Sequence, residues 1–267
     1  MSYERRLPSQ IEDDAVVIAS RSEGVAWLWL NRPSKLNATT AEMVSLLHGF
    51  LDEIVAQPPR VLVLAGVGRA FCAGRDLADA NEQEDAQAIL ADHYNPLILR
   101  IASLETITVA ATHGAVLGTG LGLALACDLV LTTVSSRWGS PFSRIGAVLD
   151  SGGHYFFRSL GIPRAFGLIL LGELIDGPQA FAQGLASRVV QDEVFDDEVD
   201  STVARLANGP TQAFLASKRI LNHDRLPQLA KVLELEAEAQ GRCATTADYR
   251  AGIRAFVERH EPSFEGR

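Results

Sequence analysis

The pattern of apolar and polar positions in the first 135 residues predicts strands that alternate with helices. Short apolar runs rich in β-branched residues predict strands at 15–20, 25–31, 61–65, 106–111 and 128–134. The turn residues 21–24 predict that the first two strands form a hairpin. Helical apolar spacing predicts helices at 40–56 and 82–104, the latter with a break at Pro96, and a third after the glycine loop that follows residue 114. This alternation favours an α/β fold with a largely parallel sheet.

After Gly153 the pattern becomes helical. Helices are predicted at 163–171, 178–184, 194–207, 211–222, 225–243 and 246–259, with one short strand at 187–191. We therefore expect an α/β core in residues 1–200 and a C-terminal helical region in residues 201–267. Leucines on helix 225–243 fit either packing on the chain's own core or packing on a neighbouring subunit, and its glutamates Glu234, Glu236 and Glu238 are expected to face solvent.

Composition and charge narrow the class of protein. The chain has 267 residues, 47% of them hydrophobic, and a net charge of −9, which argues against a nucleic-acid partner. The three cysteines have no CxxC spacing, so we expect reduced thiols and no metal site. The first 14 residues lack the apolar segment of a signal peptide, and the longest apolar run is too short for a membrane span. We expect a soluble cytoplasmic protein with no membrane partner.

A glycine-rich loop at Gly118-Thr119-Gly120-Leu121-Gly122 is the first candidate for chemistry. It fails the dinucleotide pattern G-x-G-x-x-G because Leu123 occupies the last position, and no Gly-Lys-Ser/Thr follows for a phosphate loop. Two interpretations remain open. The glycines let a helix pack closely on a sheet, or the backbone N–H groups near Thr119 bind an oxyanion at the helix N-terminus.

Several motifs spread over nearly the whole chain support the second interpretation. They are Asn31-Arg-Pro33, Leu36-Asn37-Ala38, Phe71-Cys-Ala-Gly-Arg-Asp-Leu77, His113-Gly114, Gly118-Thr-Gly120, Ala126-Cys-Asp128 and the C-terminal stretch from Ala255 to Phe264. In this order and spacing they resemble the enoyl-CoA hydratase/isomerase (crotonase) superfamily. The resemblance implies a spiral of ββα units with a C-terminal helical trimerisation region, and hence a homotrimer or a hexamer built from two trimers.

The resemblance also implies a ligand and its contacts. The ligand would be an acyl-CoA thioester, in which coenzyme A is part of the substrate and no separate cofactor is needed. The oxyanion hole would consist of the backbone N–H groups of Arg75 and Thr119. Coenzyme A contacts would map onto Lys35, Leu36, Ala73, Asp76 and Leu77. Arg259 would reach a coenzyme A phosphate, across a subunit interface.

The sequence departs from the superfamily's hydratases at both catalytic glutamates. One glutamate position falls on Gly122 and the other on Phe142, and neither side chain can transfer a proton. Adding water to a double bond needs one group to activate water and another to manage the α-proton. Ordinary hydration is therefore not expected.

One carboxylate remains in this stretch, Asp150. It falls where the ring 1,2-epoxyphenylacetyl-CoA isomerase type, and some other isomerases and dehalogenases of the superfamily, carry a catalytic aspartate. Other segments resemble that isomerase type as well: Tyr94-Asn-Pro-Leu97, Phe142-Ser143, Asp150-x-Gly152-Gly153 and Ala165-x-Gly167-Leu168. The competing interpretation is that Asp150 caps the helix that begins near Gly153.

From these observations we expect an acyl-CoA isomerase that uses Asp150 as its only acid and base. The alternatives are an enoyl-CoA hydratase-like lyase, an enzyme whose Asp150 attacks an aryl-CoA as a nucleophile, and a non-catalytic acyl-CoA-binding homologue. Of the remaining residues, we expect His113 to make a structural hydrogen bond, Cys72 to pack beside the thioester, and Phe142 to line the pocket.

Overall fold

The computed structural model describes residues 15–77 and 84–267. The predicted start of the second helix, Glu82, and the N-terminal segment 1–14 lie outside these ranges. In the described residues nine strands are present: β1 Val17–Ser22, β2 Val25–Leu30, β3 Val61–Gly66, β4 Ile107–Thr112, β5 Ala115–Leu117, β6 Leu129–Thr133, β7 Arg137–Gly139, β8 Leu174–Asp176 and β9 Arg188–Val190.

The helices follow the predicted order. They are α1 Ala41–Ala56, α2 Ala86–Ile89, α3 Asn95–Ser103, α4 Thr119–Ala126, α5 Gly153–Arg158, α6 Ile162–Leu170, α7 Gly177–Ala182, α8 Phe195–Ala207, α9 Thr211–Ala244 and α10 Ala247–Glu258. A π-helical turn, Leu90–Tyr94, joins α2 to α3. The turn accommodates Pro96, which lies in the first turn of α3 and cannot donate a backbone hydrogen bond. The predicted break at Pro96 is thus a local change of helical pitch.

Six strands form the main sheet in the order β1-β2-β3-β4-β6-β9. The β1–β2 hairpin is antiparallel and every other neighbour is parallel. The sheet is buried on both faces, as the continuous apolar run of β3 predicted. Leu62 and Leu64 pack in the cluster with α1, α3 and α4, whereas Val61 and Val63 pack in the cluster with α8. The α/β class predicted from the alternation is confirmed.

A second, three-stranded sheet, β5-β7-β8, was not predicted. Each of its strands has only three residues, which is too short for a periodicity to be recognised. Trp138 of β7 is fully buried there, and its Nε1 donates to Thr132 Oγ1 (3.1 Å) and Ser136 Oγ (3.0 Å). This sheet supports the segment that leads from β7 to Asp150.

The C-terminal region differs from its prediction in one respect. The helices predicted at 211–222 and 225–243 are a single helix, α9, of 34 residues with Pro227 inside it. Contacts on both sides of the proline hold the helix to the core: the Asn222 side-chain amide donates to Ala102 O at 2.9 Å, and Leu229 is fully buried. Tertiary packing therefore offsets the local cost of the proline.

Leu229 and Leu233 of α9 pack on the chain's own core, whereas half of the Leu235 surface is exposed. The division of the chain at residue 200 stays a prediction. Among the described helices, none combines the length and the apolar character needed to cross a lipid bilayer.

Candidate functional site

Two glycine-containing loops meet at the carboxyl side of the main sheet, one after β3 and one before α4. A Cβ atom placed on Gly118 would lie 3.5 Å from the Cα of Gly74, and both glycines have positive φ angles, +52° and +101°. One placed on Gly120 would lie 2.4 Å from the carbonyl oxygen of Cys72. The glycines are therefore needed for the close approach of the two loops.

This approach brings together the two backbone amides predicted to form an oxyanion hole. Thr39 and Arg75 form a parallel bridge in which the Thr39 amide donates to Gly74 O (2.8 Å) and the Asp76 amide to Thr39 O (2.9 Å). Arg75's own N–H points to the other side of this bridge. Thr119 is the first residue of α4, where an N–H has no intrahelical acceptor.

Neither amide donates to another described residue, so both N–H groups are available to a ligand. The helix dipole of α4 adds partial positive charge at Thr119. The geometry is suited to a developing oxyanion.

Asp150 lies in a buried position next to the same helix. Its residue is only 9% exposed, and its carboxylate accepts a hydrogen bond from Ser151 Oγ at 2.8 Å. Burial raises the pKa of Asp150 from 3.8 to about 7, opposed by the Ser151 hydrogen bond. The negative charge of Glu236 raises this pKa further, whereas Arg75 and His154 lower it. An aspartate of this kind can both accept and return a proton near neutral pH.

The competing interpretation of Asp150, a helix cap, does not describe its side chain. Helix α5 begins at Gly153, and its N-cap residue is Gly152, which has no side chain, so Asp150 does not occupy the N-cap position. The backbone carbonyl of Asp150 accepts from the Gly153 amide at 3.0 Å, but its carboxylate bonds to Ser151.

The cap comes from Glu236 of α9 instead. Glu236 Oε2 accepts from the Gly152 amide at 2.7 Å, and Oε1 accepts from both the His154 amide and His154 Nδ1 at 2.9 Å. The prediction that Glu236 faces solvent is wrong, since the residue is 3% exposed. Its neighbours Glu234 and Glu238 are exposed as predicted. No local signal distinguished the three glutamates, because burial of one of them depends on where α9 crosses α5.

Positions 122 and 142, to which the resemblance assigns the hydratase glutamates, contain no acid and are filled in other ways. A Cβ on Gly122 would lie 2.4 Å from the carbonyl oxygen of Ser151 and 2.5 Å from its Cβ. The Phe142 ring packs against Gly118, 3.5 Å from where that residue's Cβ would be. Gly122 thus lets the Asp150 loop approach α4, and Phe142 places an apolar surface beside the amide of Thr119.

The side chains of Arg75, Glu84, Tyr94 and Tyr249 complete the surroundings of Asp150; the motifs had indicated Tyr94 but not the other three side chains. The Arg75 guanidinium pairs with Glu84 at 2.6 Å and also acts electrostatically on Tyr94 and Tyr249. Both tyrosines interact electrostatically with Asp150, and burial raises the pKa of each phenol. They are therefore neutral near pH 7. The signal for Tyr94 was the motif Tyr94-Asn-Pro-Leu97, and this tyrosine is the last residue of the π-turn.

A cavity of about 440 Å³ opens next to these groups. It lies between α1 and the segment 84–94, and Arg75, Asp76 and Tyr94 are part of its wall. Val44 and Ile89 contribute apolar surface, while His48 and His93 lie on its wall as polar groups. A ligand group of moderate size can therefore approach Arg75 from this side.

Five of the six residues that the resemblance assigned to coenzyme A lie in two adjoining segments. The Ala73 amide donates to Leu36 O at 3.0 Å, which joins the segment 35–36 to the segment 73–77. These segments contain Lys35, Leu36, Ala73, Asp76 and Leu77. Lys35 is exposed, as an anion-binding side chain requires, whereas Asp76 pairs with Arg32 at 2.9 Å.

The sixth residue, Arg259, is exposed at the C-terminal end of α10. Within residues 15–77 and 84–267, no hydrogen bond connects it to the other five. Five of the proposed contacts thus lie in adjoining segments, whereas no hydrogen bond of the described residues links Arg259 to them.

The expected structural hydrogen bond of His113 is present, whereas the place of Cys72 beside a thioester stays a prediction. His113 is fully buried, and its Nε2 is 2.8 Å from Gly68 O. Cys72 is fully buried, and burial raises the pKa of its thiol to about 12, so that it stays protonated at neutral pH.

Comparison with known proteins gives consistent matches over almost the whole chain. Residues 20–267 match the family model described as enoyl-CoA hydratase/isomerase. A probable enoyl-CoA hydratase of Rhodobacter capsulatus is 38% identical over 248 residues, covering 92% of this chain and 96% of that protein. The 1,2-epoxyphenylacetyl-CoA isomerase of Escherichia coli is 34% identical over 258 residues, covering 94% and 98% of the two chains.

Solved structures agree with the fold described above. The crystal structure of an enoyl-CoA hydratase from Mycobacterium avium subsp. paratuberculosis superposes with a TM-score of 0.86 and 30% identity, covering 94% of this chain and 99% of that one. The crotonase-like fold predicted from the motifs is confirmed. Because the relatives include both hydratases and isomerases, the reaction depends on the residues of the site itself.

Proposed function

Because this chain belongs to the enoyl-CoA hydratase/isomerase family, we propose that it is an acyl-CoA isomerase in which Asp150 is the single acid and base. The observation that carries the proposal is the combination of a buried Asp150 with Gly122 and Phe142 at the two hydratase positions. One carboxylate can remove a proton and return it elsewhere on the same substrate. It cannot by itself supply both groups needed for hydration.

In the proposed complex the thioester carbonyl lies between the N–H groups of Arg75 and Thr119. Coenzyme A would run along Lys35, Leu36, Ala73, Asp76 and Leu77, with Arg259 reaching a phosphate from the same chain or a neighbouring subunit. Both amides are free of protein acceptors among the described residues, and Thr119 has the positive end of α4 behind it. A donor of this kind is worth about 2.7–4 kcal/mol in enzymes where one has been removed.

Proton transfer would then follow in two steps. The Asp150 carboxylate takes a proton from the carbon α or γ to the thioester carbonyl, and the electron pair moves into the carbonyl to form an enolate. The protonated Asp150 returns this proton to the other carbon, so that the double bond or ring bond is rearranged and no atom is gained or lost. A pKa near 7 lets Asp150 serve in both directions at neutral pH.

Within residues 15–77 and 84–267, the carboxylates of Glu236 and Glu84 near Asp150 already have partners. Both oxygens of Glu236 accept hydrogen bonds from α5, and Glu84 pairs with Arg75. The phenols of Tyr94 and Tyr249 stay neutral at pH 7 and are poor bases. This supports isomerisation over water addition.

The direct test compares the wild type with Asp150→Asn on 3-enoyl-CoA, ring-epoxide acyl-CoA and crotonyl-CoA substrates. We expect the wild type to isomerise one of the first two, and Asp150→Asn to lose this turnover while keeping its affinity for the acyl-CoA. Asp224→Asn, at an aspartate with an 85% exposed side chain, is the matched control and should behave as the wild type. Normal turnover by Asp150→Asn would overturn the proposal.

The same assays separate the alternative functions. Hydration of crotonyl-CoA without isomerisation would indicate a hydratase-like lyase. Acyl-CoA binding without turnover of any substrate would indicate a non-catalytic homologue. A covalent adduct on Asp150, detected by mass spectrometry with an aryl-CoA, would indicate nucleophilic attack instead of proton transfer.

We also propose a homotrimer or a hexamer. The support, besides the family, is a row of exposed apolar side chains on one face of α6 at Ile162, Phe166 and Leu170. Light scattering of the purified chain at several concentrations would give its mass, and a monomer throughout would contradict the assembly.

A further inference from the structure

Glu236 of α9 is connected to Asp150 through the segment that carries it. Its two carboxylate oxygens accept from the amides of Gly152 and His154 and from His154 Nδ1, at 2.7–2.9 Å. One turn further along α9, the Gln240 side chain accepts from the Val148 amide at 2.8 Å. Helix α9 therefore holds the segment on both sides of Asp150.

These contacts satisfy the amides that would otherwise compete for Asp150. The first amides of α5 lack intrahelical acceptors, and a carboxylate is a preferred partner at a helix N-terminus. Asp150 precedes α5 closely enough to serve as such a partner, and this was the competing interpretation of Asp150 from the sequence. Because Glu236 occupies this place, the Asp150 carboxylate bonds only to the Ser151 hydroxyl among the described residues.

We propose that Glu236 is a positioning residue for Asp150: it takes over the cap of α5 and so leaves the Asp150 carboxylate free to face the substrate. The inference rests on the proposed function, since it concerns the protonation and placement of the same carboxylate. Glu236 does not touch the substrate. It acts through the segment Val148–Gly152 and through its charge.

Among the described residues, the titratable and charged groups that act electrostatically on Asp150 come from five elements. Glu236 of α9 raises the pKa of Asp150 by charge repulsion, whereas Arg75 of the glycine-containing loop and His154 of α5 lower it. Tyr94 at the end of the π-turn and Tyr249 of α10 are neutral near pH 7.

The decisive experiment is the pH profile of kcat/KM for Glu236→Gln in the full chain. The amide keeps the shape of the side chain and one acceptor oxygen but removes the charge. Without the repulsion the pKa of Asp150 falls, so the acid limb of the profile should move to lower pH by roughly one unit. At the plateau kcat should also fall, because Asp150 can now turn towards the α5 amides, while KM should change little.

Glu238→Gln is the matched control. Glu238 lies on the same helix but is exposed, so its variant should keep both the wild-type limb and the wild-type kcat. A Glu236→Gln variant that is less stable but has an unshifted acid limb would overturn the inference and leave Glu236 as a structural cap.

Two further variants keep the test decisive. If Glu236→Gln does not fold, Glu236→Asp can be used, because it retains the charge on a shorter side chain. A lowered kcat of Glu236→Asp with an unshifted acid limb supports the inference. A wild-type kcat of Glu236→Asp contradicts it. Asp150→Asn separates the two proposals. If Asp150→Asn is active, the proposed function itself is refuted. If Asp150→Asn is inactive but the acid limb of the Glu236→Gln profile does not move, only the role of Glu236 is refuted.

Discussion

Gly122 and Ser151 are packed so closely that a side chain at position 122 and the present course of the Asp150 segment exclude each other. A Cβ on Gly122 would lie 2.5 Å from the Ser151 Cβ and 2.4 Å from its carbonyl oxygen, and real Cβ contacts essentially never fall below 3.0 Å. A glutamate at position 122 is therefore incompatible with the observed approach of the Asp150 segment to α4.

A side chain introduced at position 122 should therefore displace the Asp150 segment and should not produce hydratase activity. We expect Gly122→Ala to lower the free energy of unfolding by about 1–3 kcal/mol, the range for overpacking in a core, and to reduce isomerase kcat. Gly122→Glu should displace the Asp150 segment further and gain no activity on crotonyl-CoA. Denaturant unfolding and steady-state kinetics measure both effects.

The control for this prediction is Gly49→Ala. Gly49 is exposed on α1, and a Cβ there meets no atom within 4 Å. Alanine should raise helix stability by about 0.5–1 kcal/mol at this site. Equal effects of the two substitutions would contradict the steric account.

The pKa of Asp150 also predicts how stability depends on pH. Its folded pKa of about 7 lies above its value of about 3.9 in an unfolded chain, so between these values the folded state binds more protons. Protonated Asp150 therefore stabilises the folded state. This contribution is fully present below pH ~4 and is lost as the pH rises through about 7. Because one pKa unit corresponds to about 1.36 kcal/mol, the free energy of unfolding falls by at most about 4 kcal/mol.

Asp150→Asn removes this titration because an amide stays neutral. The variant should be more stable than the wild type at pH 8, and the difference should shrink as pH falls towards 4. Thermal unfolding of both proteins across this pH range measures it. A constant difference at every pH would show that Asp150 titrates normally in the folded state.

Phe142 should contribute to substrate binding through its apolar ring next to Gly118. Phe142 is partly buried in the free chain, and we expect a bound thioester to cover its ring; full burial of a phenylalanine side chain corresponds to about 1.5–3 kcal/mol. We expect Phe142→Ala to lower kcat/KM by roughly 10- to 100-fold. Phe181→Ala, at an exposed phenylalanine on α7, should leave kcat/KM unchanged, and a similar loss there would point to a general effect on folding.

Lys218 connects the first half of α9 to the main sheet. Its Nζ donates to Asp128 Oδ2 at 2.8 Å and to Thr106 O at 2.9 Å, and its side chain is 7% exposed. Lys218→Ala leaves the Asp128 carboxylate buried without its cation, so unfolding free energy should fall by about 3–5 kcal/mol. Lys231→Ala breaks only an exposed pair with Glu234 and should cost less than about 0.5 kcal/mol, as unfolding curves can verify.

The sequence was sufficient for features that depend on local pattern. The continuous apolar run of β3 predicted a strand buried on both faces, because such a run has no polar face to offer to water. The resemblance carried by the motifs around Gly74 and Gly118 implied that the amides of Arg75 and Thr119 lie together, and the positive φ angles and short distances at these glycines fit that expectation. The sequence also shows directly that positions 122 and 142 carry no acidic residue.

Features that depend on which elements cross were decided only by the tertiary structure. The sequence pattern predicted two helices separated at residues 223–224, but packing of Asn222 and Leu229 on the core keeps α9 continuous. The capping role that local sequence offered to Asp150 belongs to Glu236, which is 86 positions further along the chain. A buried and an exposed glutamate on one charged helix look alike in sequence, because the difference lies in the unsatisfied amides of α5 that only the folded chain brings to one of them.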